Sequence, residues 1–365
     1  QRQMCIRDRF RSASDTEVVL KAYLEWDIDC LNKFVGMFAL AVWDGRKQRL
    51  FLARDRLGIK PLYYYFRKKT ILFASELKAL MAFKQFDKQI DANALPLFLH
   101  YQYIPAPRTI FQDTYKLSPG HYLVCEDQKV TSHPFWGHTQ VPENNRTSRL
   151  SEEEQVVELE HLLTQAVSDR LVSDVPLGAL LSGGIDSSVV VALMQKVNDS
   201  PVRTFSIGFR EPEYDEAPWA SRVAKHLGTD HTELYVTPKE ASSIIPCLPE
   251  IYDEPFADSS AIPTFLVCRL ARSHVTVALT GDGGDEQFSG YPRYWHTQTM
   301  AAWLQVFPGY LKKVLAALLG GVRSDWIEKC YLPCRHLLPH RFRVANFPDR
   351  WQKLSRLIVQ EQIQD

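Results

Sequence analysis

The clearest chemical pattern of this 365-residue chain is residues 181–188, Leu-Ser-Gly-Gly-Ile-Asp-Ser-Ser. Apolar residues before it predict a buried strand, and the apolar stretch 189–194 after it predicts a helix. Glycines at such a turn let backbone N–H groups approach a phosphate, and the helix start adds unpaired donors. The pattern therefore predicts a phosphate-binding loop whose polar contacts come from Ser182, Gly183, Gly184, Ser187 and Ser188.

An acidic residue, Asp186, lies inside this loop, although a carboxylate and a phosphate repel each other. A bridging Mg²⁺ removes the repulsion, so the sequence predicts Mg²⁺ beside the phosphates. The loop lacks the spacing of a Walker A loop and that of a dinucleotide-binding turn, which argues against both kinds of site. The alternative is a glycine-rich turn between a strand and a helix that binds no ligand.

A second glycine-rich loop, residues 280–286, reads Thr-Gly-Asp-Gly-Gly-Asp-Glu and follows another apolar run. Three carboxylates at the end of one strand repel one another unless a cation neutralises them. The sequence therefore predicts that Asp285 and Asp186 hold the Mg²⁺ together. The alternative is a helix N-terminus that carries acidic residues because the helix dipole favours them.

The second half of the chain has alternating patterns of strands and helices. Such alternation predicts a parallel doubly wound sheet, with ligands at the carboxyl ends of its strands. The predicted strands are 177–181, 203–209 and 275–280, and the predicted helices are 219–227 and 262–273. A long helix, 151–172, is predicted before them with its buried positions at Val156, Val157, Leu159, Leu162, Leu163 and Ala166.

In the first half of the chain, the residue patterns predict a helix at 15–26, a meander of antiparallel strands, and a further helix at 76–83. The predicted strands are 38–43, 49–53, 62–66 and 71–74. A polar run at 142–151 places the domain boundary near residue 145, so the domains are 10–145, of class α+β, and 146–365, of class α/β. Residues 1–9 match nothing that should precede this pattern and are interpreted as a non-native segment.

Composition excludes several classes of protein. Lys and Arg number 43, as do Asp and Glu, so no net field attracts nucleic acid or an anionic membrane. The apolar-rich stretch 306–322 includes two lysines and is too short to span a bilayer. Seven cysteines, an odd number in a long chain, favour a reduced, cytoplasmic setting.

Several segments resemble the glutamine-hydrolysing asparagine synthetase family, in the order in which that family has them. They include 14–17, 52–64 (Leu-Ala-Arg-Asp-Arg-Leu-Gly-Ile-Lys-Pro-Leu-Tyr-Tyr), 253–256 and 290–294, and 182–187 resembles the PP-loop of N-type ATP pyrophosphatases. The resemblance implies an Ntn-hydrolase-type glutaminase domain followed by an α/β PP-loop ATP pyrophosphatase domain. It also implies aspartate, glutamine and ATP as substrates, and it allows a homodimer.

The resemblance also implies roles for single residues. Asp15 matches the acid that holds the α-amino group of glutamine, although it could instead be a simple helix-capping aspartate. Other matched positions contact the nucleotide, and Asp282 matches a residue tied to formation of an acyl-adenylate. The nucleotide contacts implied in this way are Leu181, Ile207, Thr280 and Gly281. The implied reaction converts aspartate to asparagine through β-aspartyl-AMP, releases AMP and pyrophosphate, and takes its ammonia from glutamine.

The sequence departs from the family pattern at three places. Asp282 stands where the commoner synthetases carry glutamate. In having aspartate there, the loop resembles a branch of the family that includes amidotransferases of surface-polysaccharide assembly. A sugar carboxylate or another carboxylate is therefore the alternative acceptor. Cys5 does not supply the N-terminal nucleophile of the family, and a downstream lysine is not found. We therefore expect a chain truncated at both ends that does not itself hydrolyse glutamine. An alternative of another class is a non-catalytic ATP-binding module.

Overall fold

The structure, a computed structural model, describes residues 10–12, 14–137, 150–211 and 215–305, together with Leu311, Lys329 and Tyr331. Residues 1–9 and the position of the boundary near 145 lie outside these ranges, as does nearly all of 306–322. The chain divides into two compact units, Gln1–Thr280 and Gly281–Asp365. The first unit contains both kinds of sheet that the sequence predicts.

The first described helix, α1 (Asp15–Trp26), has the predicted bounds. The Ser14 side chain accepts a hydrogen bond from the N–H of Thr16, which satisfies one donor of the first turn. A 3₁₀ helix, Asp27–Lys33, follows it. Ala22 and Tyr23 of α1 are buried against Phe51, so this helix covers one face of a sheet.

Two antiparallel sheets, rather than one meander, form the first half. The first sheet has the order β1 (Ala39–Asp44), β2 (Arg49–Arg54), β6 (His121–Glu126), β7 (Lys129–Pro134). The second has the order β4 (Thr70–Ala74), β3 (Tyr63–Arg67), β5 (Thr114–Lys116). The prediction of a single meander is wrong because the chain crosses between the sheets after β2, around the buried carboxylate of Asp55. That carboxylate accepts hydrogen bonds from the N–H groups of Ile59 (3.0 Å) and Lys60 (2.9 Å).

The two sheets face each other across a shared core. Leu52 of β2, Leu123 of β6 and Leu62 pack there with Tyr64 and Ile71 of the second sheet. The outer face of the second sheet is covered by α2 (Leu77–Met81), and α3 (Ala94–Tyr101) follows. The layers therefore run helix, sheet, sheet, helix, which agrees with the expected Ntn-hydrolase-type architecture.

The second half contains the predicted parallel sheet, in the order β10 (Asp230–Val236), β9 (Arg203–Phe209), β8 (Leu177–Leu180), β11 (Val277–Leu279). All three pairings are parallel. The apolar pattern of the sequence does not predict β10, because the polar residues Asp230, His231 and Glu233 interrupt it.

Helices cover both faces of this sheet, so it is doubly wound as predicted. They are α4 (Glu152–Arg170), α5 (Ile185–Val197), α6 (Ala217–Leu227), α7 (Pro238–Ile244), α8 (Leu248–Tyr252) and α9 (Ala261–Arg272). Val191 of α5 and Ala220 of α6 pack on one face. Ala271 of α9 packs on Phe205, which faces the other side.

The burial predicted for α4 is wrong over its first half. Val157 is 67% exposed and Leu162 is 53% exposed, and Val156 and Leu159 are exposed as well, whereas Val167 is buried. The reason is that only the C-terminal turns of α4 reach the core shared with α5 and α6. The apolar spacing correctly predicts a helix, but it continues N-terminally beyond the part of α4 that packs on other described residues.

The second unit contains α10 (Gly284–Phe288) and α11 (Pro292–Gln305). No helix in the described ranges has both the length and the apolar character needed to cross a bilayer. The cysteines of the described ranges, Cys30, Cys125, Cys247 and Cys268, are free thiols.

Candidate functional site

The loop between β8 and α5 is shaped by glycine. Gly183 has a φ of +82°, and a Cβ on it would lie 2.6 Å from the backbone nitrogen of Ala220 and 2.7 Å from the carbonyl carbon of Trp219. Both are backbone atoms of the first turn of α6, so they cannot move aside as a flexible side chain would. Gly183 therefore allows the loop to lie directly against the start of α6.

The three serines of the loop hydrogen-bond within it. Ser182 Oγ lies 3.0 Å from Ser187 Oγ, and the N–H of Gly184 donates to Ser182 Oγ at 3.2 Å. The hydroxyls of Ser187 and Ser188 donate to the carbonyl of Gly184 at 3.3 and 2.7 Å. The sequence predicted that these hydroxyls bind phosphate. In this structure they fix the shape of the turn, and their contact with a phosphate stays a prediction.

The start of α5 offers donors to an anion. Gly184 is the N-cap residue, and no side chain caps this helix. The first-turn N–H groups of an α-helix have no intrahelical partner, and the helix dipole places partial positive charge there. The start of α5 is therefore suited to a phosphate group.

The carboxylate of Asp186 lies in the first turn of α5 and is half-buried. Within the described ranges, no group of three or more His, Cys, Asp or Glu side chains could hold a metal ion by itself. Mg²⁺ at phosphate sites is usually held by one or two carboxylates together with the substrate phosphates. The carboxylate of Asp186, at a helix start suited to a phosphate group, is a ligand of that kind.

The strand order places this loop at the position where doubly wound sheets bind ligands. From β8 the chain proceeds to β9 and β10 on one side, and β11 then pairs with β8 on the other side. The crevice at such a reversal, at the carboxyl ends of the strands, is the usual ligand site. Thr280 follows β11 directly, so it lies at the same edge of the sheet as the loop.

Two of the predicted nucleotide contacts lie on neighbouring strands of this sheet. Leu181 is 1% exposed, and its N–H donates to the carbonyl of Phe205 at 2.9 Å. Ile207 is half-buried on β9, two residues beyond Phe205 and paired with Leu234 of β10. The structure thus brings Leu181 to the middle of β9, two residues before Ile207, while the contact of both residues with adenosine stays a prediction.

The second loop belongs to the second compact unit. Gly283 has a φ of +90° and is the N-cap of α10. The carboxylate of Asp285 lies against Gly290, where a Cβ would collide with Oδ1, and the N–H of Gly290 donates to the carbonyl of Asp285 at 3.0 Å. Gly281 is half-buried and Asp282 is exposed. Asp285 therefore stands at a tight turn, and Asp282 points outward at its start.

Tyr291, which follows this loop, contacts both Glu286 and Arg293. The hydroxyl of Tyr291 donates to Glu286 Oε1 at 2.6 Å, which lowers the pKa of Glu286 and raises the pKa of Tyr291 to about 12. The guanidinium of Arg293 lies 4.2 Å from the centre of the Tyr291 ring. Tyr291 and Arg293 both belong to the segment 290–294, one of those that resemble the asparagine synthetase family.

The predicted glutamine ligand, Asp15, lies in the first turn of α1 and is exposed. Ser14 caps the helix, and Asp15 is not among the residues of α1 that pack on the first sheet. Its role in binding glutamine stays a prediction.

The segment 52–64 forms a scaffold at the crossing between the antiparallel sheets. Arg54 donates to the carbonyls of Lys60 (2.8 Å), Gly58 (2.6 Å) and Leu117 (2.8 Å), and burial lowers the pKa of its guanidinium. Asp55, 1% exposed, binds the opposite side of the same turn. Alternating acid and base in this segment therefore organises backbone rather than forming a solvent-exposed charged surface.

Comparisons with known proteins cover both halves. A family model described as "Asparagine synthase" matches residues 158–364, and one described as "Glutamine amidotransferase domain" matches residues 2–136. The chain is 38% identical over 328 residues to a putative asparagine synthetase [glutamine-hydrolyzing] 2 of Methanocaldococcus jannaschii, covering 87% of this chain and 62% of that protein. It is 35% identical over 307 residues to asparagine synthetase [glutamine-hydrolyzing] 1 of Bacillus subtilis, covering 84% of this chain and 47% of that protein. The chain thus spans about half to three fifths of the length of these curated relatives.

Proposed function

Since the chain belongs to the asparagine synthase family, we propose that it is a ligase that amidates aspartate to asparagine with ATP, and that the intact protein takes its ammonia from glutamine. The observation that carries the proposal is the glycine turn from β8 to the uncapped start of α5, at the reversal point of the parallel sheet. This turn combines backbone N–H donors with the dipole of α5, and Gly183 allows it to lie directly against the start of α6. Such a site suits the β- and γ-phosphates of a nucleotide.

The chemistry follows from where negative charge develops. A carboxylate oxygen of aspartate attacks the α-phosphorus of ATP, the bond to the bridging oxygen breaks, and pyrophosphate leaves with the electron pair. Donors that are already oriented at the start of α5 stabilise the departing pyrophosphate. Ammonia then attacks the acyl carbon of β-aspartyl-AMP, loses a proton, and releases AMP together with asparagine.

The acidic residues receive separate roles in this proposal. Asp186 and Asp285 would hold Mg²⁺, which neutralises phosphate charge when it is bound. Asp282 is assigned to formation of the acyl-adenylate, and Thr280 and Gly281 to contact with the nucleotide. The support for these assignments is the sequence pattern and, for Asp186, its place in the first turn of α5.

In the intact protein, the source of ammonia is assigned to glutamine hydrolysis in the amidotransferase half. The match of the amidotransferase model to residues 2–136 supports this source. The layered antiparallel sheets of that half provide the corresponding architecture. In this assignment Asp15 binds the α-amino group of glutamine.

The reaction is tested by its phosphate products. Incubation with ATP, Mg²⁺, aspartate and ammonium is expected to release AMP and pyrophosphate in equal amounts, with asparagine. Asp186→Asn is expected to lower that rate at least 100-fold, whereas Asp199→Asn, an exposed acid beyond the other end of α5, should leave it unchanged. Release of ADP and orthophosphate would contradict the assignment of the loop.

The acceptor is identified in the same assay by replacing aspartate. If a sugar carboxylate such as a hexuronate supports pyrophosphate release and aspartate does not, the protein is an amidotransferase for another carboxylate. If ATP binds and no acceptor supports turnover, the protein is a binding module and the ligase proposal is wrong.

A further inference from the structure

An acidic turn joins α8 to α9 and lies against the antiparallel half of the same compact unit. This acidic turn comprises residues 253–257, Asp-Glu-Pro-Phe-Ala. The side chains of Asp253 and Glu254 are only 8% and 9% exposed, which is unusual for adjacent carboxylates. Their partners therefore decide whether the turn is stable.

Glu254 is held entirely by the antiparallel half. One carboxylate oxygen pairs with Lys116 Nζ, and the other accepts a hydrogen bond from the N–H of Ile110 at 3.2 Å. Lys116, at the end of β5, is 15% exposed and also donates to the carbonyl of Ile104. The ion pair is thus withdrawn from solvent on both sides.

Asp253 is held by the start of α2. One oxygen accepts from the N–H of Lys78 at 3.1 Å, and the other lies 3.3 Å from Lys78 Nζ. Lys78 Nζ also donates to the carbonyl of Glu250 at 2.7 Å. A third contact joins the N–H of Ala257 to the carbonyl of Gln102 at 2.9 Å, just past α3.

The backbone of the turn depends on these contacts. Asp253 has a φ of +60°, a left-handed conformation that costs free energy for a residue with a side chain. Such a residue persists where its surroundings hold it in place. Burial raises the pKa of Glu254, and the neighbouring Lys116 acts in the opposite direction by favouring the carboxylate.

The turn leads into a helix that supports the parallel sheet. Tyr252, at the end of α8, donates its hydroxyl to the carbonyl of Ala261 at 3.2 Å, which fastens the turn to the first residue of α9. Farther along, Leu270 and Ala271 of α9 pack with Phe205 of β9 and Leu180 of β8. Leu180 is the residue at which β8 enters the phosphate-binding loop.

We propose that the acidic turn is an anchor for the amidotransferase half, and that Lys116 and Glu254 are positioning residues that hold the start of α9 in place. The partner of this surface is the antiparallel half of the same chain, recognised by two lysines and two backbone N–H groups. Through this anchor, α9, which packs on β8 and β9, keeps a fixed position relative to the antiparallel half. This role is independent of the acceptor and of the nucleotide chemistry.

The experiment measures hydrogen–deuterium exchange of the whole chain at pH 7. Lys116→Met keeps the length of the side chain and removes its charge, which leaves Glu254 buried without a counter-ion. We expect amides of residues 253–261 to exchange at least tenfold faster, while those of 191–197 in α5 change less than twofold. Lys196→Met is the matched control because it breaks an exposed pair with Glu160 (2.6 Å) and should change exchange at 253–261 less than twofold.

A second variant separates charge pairing from simple packing. Lys116→Met/Glu254→Gln removes both charges and retains an acceptor for the N–H of Ile110, so we expect most of the protection at 253–261 to return. The proposal is overturned if Lys116→Met leaves that segment unchanged, or if the double variant exchanges as fast as the single one. Should Lys116→Met fail to fold, Lys78→Met, at a lysine that is 44% exposed, is expected to raise exchange at 253–257 threefold or more. No change there would equally overturn the proposal.

Discussion

At the scale of single residues, Gly183 is the position of the loop 181–188 at which a side chain is tolerated least. Its φ of +82° disfavours any other residue, and a Cβ would lie within 2.7 Å of backbone atoms of α6. Two separate effects therefore act at one position, a conformational cost and a collision. A control glycine that has a positive φ but no nearby atoms therefore separates the effect of the collision from the conformational cost.

Gly183→Ala is accordingly expected to weaken ATP binding at least 100-fold, measured by isothermal titration calorimetry, because the loop must move away from α6. Gly228→Ala is the matched control, since Gly228 has a φ of +69° and a Cβ there would meet nothing within 4 Å. That variant should lose about 1–2 kcal/mol of unfolding free energy and keep its affinity for ATP. Equal loss of affinity in both variants would show that the collision is irrelevant.

At the scale of elements, a cluster of polar side chains lies between β9 and β10, at one edge of the parallel sheet. His231 Nδ1 lies 2.8 Å from Thr204 Oγ1, and Nε2 lies 3.1 Å from Ser206 Oγ. Thr204 Oγ1 is also 3.0 Å from Thr229 Oγ1, and His231 Nε2 is 3.6 Å from Glu233 Oε1. The hydroxyls satisfy a neutral imidazole, and burial lowers the pKa of His231 below 6.5.

This shift predicts how stability depends on pH. Below about pH 6.5 the unfolded chain binds a proton at His231 more readily than the folded chain does. The free energy of unfolding should therefore fall as the pH is lowered from 6.5 toward the folded pKa. His231→Gln should remove this part of the pH dependence, measured by urea denaturation between pH 7.5 and 5, whereas His226→Gln, at an exposed histidine, should retain it. A slope that survives in His231→Gln would assign it to other groups.

The elements also show which features could be predicted from sequence. The spacing of apolar residues and the glycine-rich turn predict α1, β9 and the loop 181–188 within a residue or two, because these patterns depend only on residues that are neighbours in the sequence. The sequence does not predict β10, because its polar side chain His231 is buried through hydrogen bonds to Thr204 and Ser206 of β9, and no local pattern indicates such a contact. Similarly, the division into two antiparallel sheets depends on Asp55 binding the 59–60 turn, and burial along α4 depends on where its partner ends.

The site shows the same division between local and tertiary information. The glycine turn and the uncapped start of α5 follow from eight consecutive residues. The inward hydrogen bonds of Ser182, Ser187 and Ser188 could not be predicted, since a hydroxyl can serve a phosphate or a neighbouring carbonyl equally well. The exposure of Asp15 and the contacts of Glu254 depend on tertiary packing in the same way.

At the scale of the whole molecule, net charge supplies no overall attraction for a nucleotide. Basic and acidic residues are equal in number, at 43 each, so the proposed attraction rests on local donors such as those of the loop 181–188. The strand order β10-β9-β8-β11 gives that loop a defined edge of the sheet. A bound nucleotide should therefore leave a one-sided footprint on the parallel strands.

Addition of saturating ATP and Mg²⁺ is expected to slow hydrogen–deuterium exchange at least fivefold in peptides covering 181–188, since these amides lie at the carboxyl end of β8. Peptides covering 173–177, at the amino end of the same strand, should change less than 1.5-fold, because ligands occupy the carboxyl edge of such sheets. Asp186→Ala serves as the control, in which the same addition should give no protection at the loop. Protection confined to the amino ends of β8 and β9, or to the antiparallel half, would show that the nucleotide binds elsewhere.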